Sequence, residues 1–416
     1  MPDLSQTAPQ SRTIPRLALI ALAGATLLAA LGISIVSVAL PTLAGAFSVS
    51  ISGVQWIVTA YLVSVTVMVV IAGRLSDRYG HRRILLSGLC IFVLSALLCA
   101  VSTTLQMLVA GRLLQGVGGA ILMVVPMSIA RETIARERMG SAMGLLGSMS
   151  AIGTALGPSA GGILIAAFGW RASFIALAVL ALPVALASLV AIPRTVIAKT
   201  QHLGKRTAVL STIGSRRLGS GLAMNVLVAV VMISTLSIGP FYLTFALDLH
   251  VAAVGIIMSA GPIMSAISGV PAGRATDRFT TSTVITAGLL TTIFGLICLA
   301  SLPRLFGVAG YVVALCLLTP GFQLFLAANN TEVMMSAPED RKGTTSGLLS
   351  LSRNLGFIVG ASAMPGLFSV AAGSGAIQAV SPEAVAFAFT ATFLGCAALA
   401  LLALLLARAF HPARLQ

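Results

Sequence analysis

Charge is what this sequence lacks most. Of its 416 residues only 8% are charged, and only ten are acidic, where a water-soluble domain carries roughly 25% charged residues. Such a chain cannot clothe a soluble surface, so lipid must be most of its solvent. Cysteine is scarce too. Cys90, Cys99, Cys298, Cys316 and Cys396 all fall inside apolar segments and no CxxC occurs, which argues against a disulfide framework or a structural zinc site and leaves them as small core residues. There is no G-x-x-x-x-G-K-[ST] stretch, so a P-loop ATPase is excluded, and Gly116-Val117-Gly118-Gly119 reads as a packing run. No metal-ligand cluster and no Ser/His/Asp arrangement stands in a plausible context. The chain is expected to be no enzyme and to hold no cofactor.

What is there is hydrophobic: 58% of the residues, with a mean hydropathy of +1.05. Reading apolar runs against breakers gives twelve spans, at about 17–46, 55–73, 83–102, 105–130, 140–168, 172–193, 219–247, 251–272, 282–302, 308–331, 343–371 and 383–409. A membrane helix needs about 20 mainly apolar residues. Only helices and closed barrels satisfy their backbone groups in lipid, and these runs are too long for barrel strands. The first run follows Arg12 and Arg16 like a secretory signal, but its length marks an uncleaved first helix. The expected fold is an all-α membrane protein of twelve helices. It divides into a tail at 1–16, six helices at 17–193, a basic linker at 194–218, six helices at 219–409 and a tail at 410–416.

The net charge of +15 suggests nucleic acid until its distribution is read. With the N-terminus inside, 21 of the 25 basic residues fall on inner segments. Only Arg171 and Arg304 are outside, and Arg112 and Arg353 lie within spans. This is the positive-inside pattern. It places both termini in the cytoplasm, predicts a multi-pass protein of a bacterial inner membrane, and makes nucleic acid an implausible partner.

The stretch Gly73-Arg74-Leu75-Ser76-Asp77-Arg78-Tyr79-Gly80-His81-Arg82-Arg83 joins two spans as a charged turn. Two hundred residues on, Gly273-Arg274-Ala275-Thr276-Asp277-Arg278 does the same. Gly144, Gly153 and Gly157 recur as Gly347, Gly356 and Gly360. Two pseudo-symmetric six-span halves are a transporter architecture, with solute held near the midplane between halves that rock.

On these residues the chain resembles the major facilitator superfamily over nearly its whole length. Gly73–Arg83 is similar to the family's signature between spans 2 and 3. Leu108–Gly116 resembles the span 4 motif with its arginine, and Gly153-Thr154-Ala155-Leu156-Gly157-Pro158-Ser159-Ala160-Gly161-Gly162 the span 5 motif of antiporters. Gln55–Tyr61 and Trp170–Phe174 are similar to drug-exporter segments. The resemblance implies export of small compounds or drugs in exchange for protons, driven by the proton gradient. Leu31–Pro41 resembles an exporter motif that carries an early aspartate, whose place here is Gly32. No Asp or Glu lies near the middle of any span, which weighs against cationic substrates.

The resemblance also implies a conformational latch in which Asp77 faces the start of the eleventh helix. Its members are Gly73, Arg74, Asp77, Arg78, Gly80, Arg82 and Arg83, with Gly273, Asp277 and Arg278 in the second copy; helix capping by solvated charges is the simpler reading. Arg112 is expected to face the cavity with Gln115 one turn on, to bind an anionic group or tune a proton site, unless it snorkels. Arg353 either snorkels or serves coupling. Glu332 is a solvated helix end or a protonatable partner, and Asp248 and His250 are outer-turn residues or a proton entry. Gly153, Gly157, Pro158, Gly161 and Gly162 form a small-residue face for tight packing, between helices or between the halves.

In this fold spans 1, 4, 7 and 10 line the cavity, which assigns it Ser34, Ser37, Asn225, Ser234, Thr235 and Gln323, with Trp56 and Tyr61 as aromatic wall. So few polar anchors suit amphiphilic organic solutes better than sugars. The competing expectations are an importer or facilitator of a specific metabolite, for which Arg112 would suit an anion, and a non-transporting membrane receptor or scaffold. The partners implied are a small-molecule substrate, protons and the bilayer, around a functional monomer.

Overall fold

The computed structural model describes residues 16–134, 136–192, 216–337, 342–373 and 380–410. The expected tails lie mostly, and the basic linker almost wholly, outside them. The described elements are α1 (Arg16–Ser34), α2 (Leu40–Ala46), α3 (Ile51–Val54), α4 (Trp56–Tyr79), α5 (His81–Ala100), α6 (Leu105–Thr133), α7 (Arg136–Phe168), α8 (Arg171–Ala191), α9 (Arg216–Phe245), α10 (Val251–Met258), α11 (Ala260–Arg278), α12 (Thr281–Met335), α13 (Lys342–Ala371) and α14 (Pro382–Phe410). No strand occurs among the described residues.

Among the described residues eleven helices are long and apolar enough to cross a membrane. The 55-residue α12 supplies two crossings, because Gly307 breaks it with φ 54° and ψ −131°, a conformation open to glycine and costly to other residues. Twelve crossings result. The first is not one straight helix. Residues 35–39 form turns between α1 and α2, where Pro41 lies in the first turn of α2 and has no amide to continue the α1 ladder.

The charged turns differ from expectation. Gly73 to Tyr79 are helical, the last two turns of α4, and only Gly80 turns the chain, at φ 92° and ψ 134°. Gly273 to Arg278 likewise end α11, and the chain leaves through extended Phe279. The apolar run stops where the sequence says it should, but the helix does not. Its hydrogen bonds are internal, so it continues out of lipid carrying arginines.

Packing is mostly within each half of the chain. α1 packs on α7 and α8, α6 on α4 and α5, α9 on α13 and α14, and α12 on α11 and α14. Between the halves, α7 meets α10 and α11, α13 meets α3 and α4, and α9 meets α2. α2, α3 and α10 all lie at one end of the bundle, opposite Asp77. At the Asp77 end a Cβ on Gly144, Gly147, Gly273 or Gly347 would have nothing within 4 Å. The halves close on each other at one end, and open space surrounds these glycines at the other.

Candidate functional site

Two places concentrate the polar chemistry: a node around Arg112 inside the first half, and a seam where the halves meet.

α6 begins at an N-cap where Thr104 Oγ1 accepts the Met107 amide at 3.2 Å, and two turns later it carries Arg112 inward. The Arg112 side chain is 0% exposed. Its Nε donates to the Ile57 carbonyl of α4 at 3.1 Å; its Nη1 donates to the Gly32 carbonyl of α1 at 2.9 Å and to Gln115 Oε1 at 2.6 Å. The guanidinium carbon lies 4.2 Å from the Tyr61 ring centre. An arginine at a helix centre costs about 2.5–3.5 kcal/mol on insertion scales. Hydrogen bonds to a charged group are worth about 1.5–3 kcal/mol each and a desolvated cation–π contact about 2 kcal/mol. The contacts match or exceed the insertion cost, so the cation needs no carboxylate to sit there. Nη2 of Arg112 and Nε2 of Gln115 remain buried without a partner.

In this conformation Arg112 and Gln115, expected to face the cavity, are enclosed between α1, α4 and α6. Tyr61, expected in the cavity wall, is buried beneath the guanidinium and donates to the Ala29 carbonyl at 3.3 Å. Gly32, the place of the exporter motif's aspartate, contributes its carbonyl instead. A Cβ there would already stand 3.1 Å from Tyr61 Oη and 3.2 Å from the Phe92 ring.

Other residues expected in the cavity are also spent on helix contacts. Ser34 Oγ reaches the Ala30 and Gly153 carbonyls, both at 3.1 Å, tying α1 to α7. Ser37 caps the Ser34 carbonyl at 2.6 Å. Asn225 Nδ2 donates to the Leu349 carbonyl at 3.0 Å and Ser352 Oγ at 2.8 Å, joining α9 to α13. Ser234 is buried on its own helix's Val230 carbonyl. Small polar groups in lipid-embedded helices satisfy themselves on nearby backbone, so polarity alone did not mark a cavity. Thr235 and Gln323 are half-buried; Thr235 bonds the Met232 carbonyl and Gln323 bonds Ser265 Oγ of α11. Trp56 is exposed.

Of the span 5 face, Gly153 and Gly157 pack on α1, where added methyls would meet the Leu27 carbonyl at 2.6 Å and Ser34 respectively. Gly161 sits against the Ile35 carbonyl. Gly162 and Pro158 turn the other way. They meet α10 of the second half, where a Cβ on Gly162 would stand 2.7 Å from the Val251 carbonyl and one on Gly255 would collide with the Pro158 carbonyl. The motif thus serves both expected kinds of packing, at different residues.

The latch residues are at the open end. Arg74, Asp77, Arg78, Arg83, Asp277 and Arg278 are exposed and Gly73, Gly80 and Gly273 half-buried. Arg82 Nη2 holds the Leu189 carbonyl at the end of α8 at 2.5 Å. The side chains at the start of α13, which Asp77 is expected to face, lie outside the described set. Glu332 is half-buried and accepts from Thr281 Oγ1, joining the two ends of α12. Arg353 is half-buried on α13, and Asp248 and His250 are exposed where α9 turns into α10.

What sequence reasoning missed is pairing across the halves. Gln55 Nε2 donates to the Ser237 carbonyl of α9 at 3.1 Å, and Thr59 Oγ1 lies 3.4 Å from Ser362 Oγ of α13. The available signal was two polar residues at i and i+4 on a helix otherwise apolar there; the partners were not legible.

Comparison with known proteins agrees with this architecture. Over 384 residues the chain is 24% identical to the riboflavin transporter RibZ of Clostridioides difficile, covering 81% of this chain and 84% of the relative. Over 158 residues it is 38% identical to the methylenomycin A resistance protein of Bacillus subtilis, covering 38% of this chain and 34% of that one. A bacterial homolog of the human lysosomal transporter Spinster superposes with a TM-score of 0.80 at 17% identity, over 97% of this chain and 98% of that one. The nucleoside transporter NupG does so at 0.76 and 14%, over 96% and 100%. The family model described as Major Facilitator Superfamily matches residues 22–361 and 222–415. The chain is a multi-pass integral membrane protein and belongs to the Major Facilitator Superfamily.

Proposed function

We propose that this transporter exports small amphiphilic compounds in exchange for protons by alternating access. The observation that carries the alternating cycle is the asymmetry of contact. The halves are sealed at one end by Gly162 against α10 and by Gln55 against α9, while at the Asp77 end an added Cβ on Gly144, Gly147, Gly273 or Gly347 would meet nothing within 4 Å. Lysine and arginine put that open end in the cytoplasm, so the solute enters from inside and leaves when the seal moves. The exporter-like span 5 segment and the similarity to a resistance protein support the outward direction.

The substrate is neutral or anionic. None of the ten acidic residues falls near the middle of a span, and the charges within spans are Arg112 and Arg353, so nothing there would stabilise a bare cation. Everted vesicles test the reading. They should accumulate substrate when their lumen is acidified and lose it when the gradient is collapsed; flux indifferent to the gradient would contradict proton exchange.

A second reading, an importer of a specific metabolite, is favoured by the relative named as a riboflavin transporter, whose match runs along most of both chains. Restored growth of a nutrient-uptake mutant, without any change in drug sensitivity, would select it.

A further inference from the structure

The end of the molecule that must open for release is held by neutral groups. Gln55 stands at the join of α3 and α4, 2% exposed, with its amide donating across the seam to the Ser237 carbonyl at 3.1 Å. That carbonyl is next to Leu236, whose own partner in a regular helix would be the amide of residue 240. Residue 240 is Pro240, inside α9, and a proline there removes that bond and crowds the preceding turn. The acceptor this frees is the Leu236 carbonyl, one residue before the one Gln55 uses. Thr59, one turn beyond Gln55, reaches Ser362 on α13. The two contacts lie on one face of α4 and tie the first half to two helices of the second.

The same seam holds two buried atoms without partners, Gln55 Oε1 and Ser237 Oγ. A buried unpaired polar atom opposes the state that buries it, because water would satisfy it once the seam opened. Closure is thus supported by the contacts of Gln55 and Thr59 and opposed by two orphaned oxygens, one of them on the Gln55 amide itself.

We propose that Gln55 and Ser237 are the positioning residues that set how firmly this end stays shut. Both loosen it on balance, because an orphaned buried oxygen costs more than the single bond of the Gln55 amide returns, so that the opening needed for release is not prohibitively rare. This rests on the alternating cycle proposed above. It makes removal of either polar group steady the closed end, which a merely structural role would not.

Hydrogen exchange of the full-length protein in lipid nanodiscs tests it. Gln55→Met keeps length and apolar bulk while removing the amide. Because it also removes the orphaned Oε1, it should slow amide exchange at residues 40–62 and 245–258 roughly two- to tenfold and speed it at 73–85. Ser237→Ala should do the same. If either substitution speeds exchange at 40–62 and 245–258, or changes both ends alike, the proposal is overturned. Asp77→Asn serves as the independent control. Opposed changes at the two ends in Asp77→Asn, with none in Gln55→Met or Ser237→Ala, would remove Gln55 and Ser237 from the gate and keep the cycle. No opposed change in any of the three would remove the cycle itself.

Discussion

Arg112 in the first half and Leu315 in the second occupy the same place in a duplicated scaffold. The match is visible in the backbone: Gly118 packs on Gly88 and Phe92, and Gly321 packs on Gly288 and Thr292 in the same way. Around that shared frame the side chains have parted. Where Arg112 lies over Tyr61, Leu315 lies near Gly261, 3.9 Å from where a Cβ would be. Gln115 corresponds to Leu318, and Ser34, wedged against Gly157, corresponds to Ile233 against Gly360. The glycines that let helices touch are kept in both halves, while the buried cation and its ring of acceptors exist in one. Close packing is a demand of the fold, and it falls on both copies. A fully enclosed arginine is a burden to the fold, and among the described residues the first half carries one while Arg353 of the second half is half-buried, which marks the first half as the place of specific chemistry.

The sharpest way to break this comparison is to transplant the charge. Leu315→Arg puts a cation at a buried site with no tyrosine face beneath it and no glutamine beside it. It should cost at least about 3 kcal/mol on insertion grounds, and fluorescence-detected gel filtration should show the folded monodisperse peak lost. If the variant folds normally, the second half can receive an arginine and the asymmetry means little.

The reverse change is smaller in stability and larger in function. Arg112→Met removes the cation but leaves Gln115 Oε1 buried without its donor, a loss of about 1–3 kcal/mol. Adding Gln115→Leu should recover part of the thermal stability, since an apolar pair replaces a half-satisfied polar one, yet transport should stay abolished. Recovery of transport with stability would reduce Arg112 to a packing residue.

These contrasts also explain what the sequence could and could not tell. Twelve crossings, the two halves and the small-residue faces were legible because run length and spacing are local properties. The break at Gly307 fell in the gap between the spans expected at 282–302 and 308–331, whereas the turn at 35–39 fell inside the span expected at 17–46. For Ser34, Ser37, Tyr61, Asn225 and Ser234 the helix was legible but the direction was not, because knowing which helix a side chain sits on does not say which way it points. Two faces of one helix differ by a rotation that only its neighbours fix. For the same reason Gln55 was readable as part of an exporter-like segment, while Ser237 as its acceptor was not.

The two charged copies give the next contrast. The first ends on Gly80 with φ 92° and turns directly into α5; the second leaves through extended Phe279, and Thr280 Oγ1 caps the next helix by accepting the Thr283 amide at 3.4 Å. A side chain at Gly80 is strained by about 1–3 kcal/mol, whereas Phe279 already has an ordinary backbone. Gly80→Ala should therefore lower the melting temperature and Phe279→Ala should not, as read by differential scanning fluorimetry in detergent.

The smallest expected effect separates the acids themselves. Asp77 and Asp277 are both exposed at the open end, so neither is bound firmly in this conformation, and each can act only when that end closes. A carboxylate brought to a helix N-terminus shifts an equilibrium roughly two- to fivefold at low ionic strength, and salt weakens it. Asp77 is followed by a tight glycine turn that fixes its direction relative to α5; Asp277 is followed by extended chain that does not. Asp77→Asn should therefore shift the molecule toward the state open at this end by roughly that factor, and Asp277→Asn by less. Raising the salt concentration should shrink the difference between Asp77→Asn and the unmodified protein, because the charge that was removed is the one salt screens. Equal shifts from the two substitutions, unaffected by salt, would mean that the acids are interchangeable solvated helix ends and that the two copies differ in sequence alone.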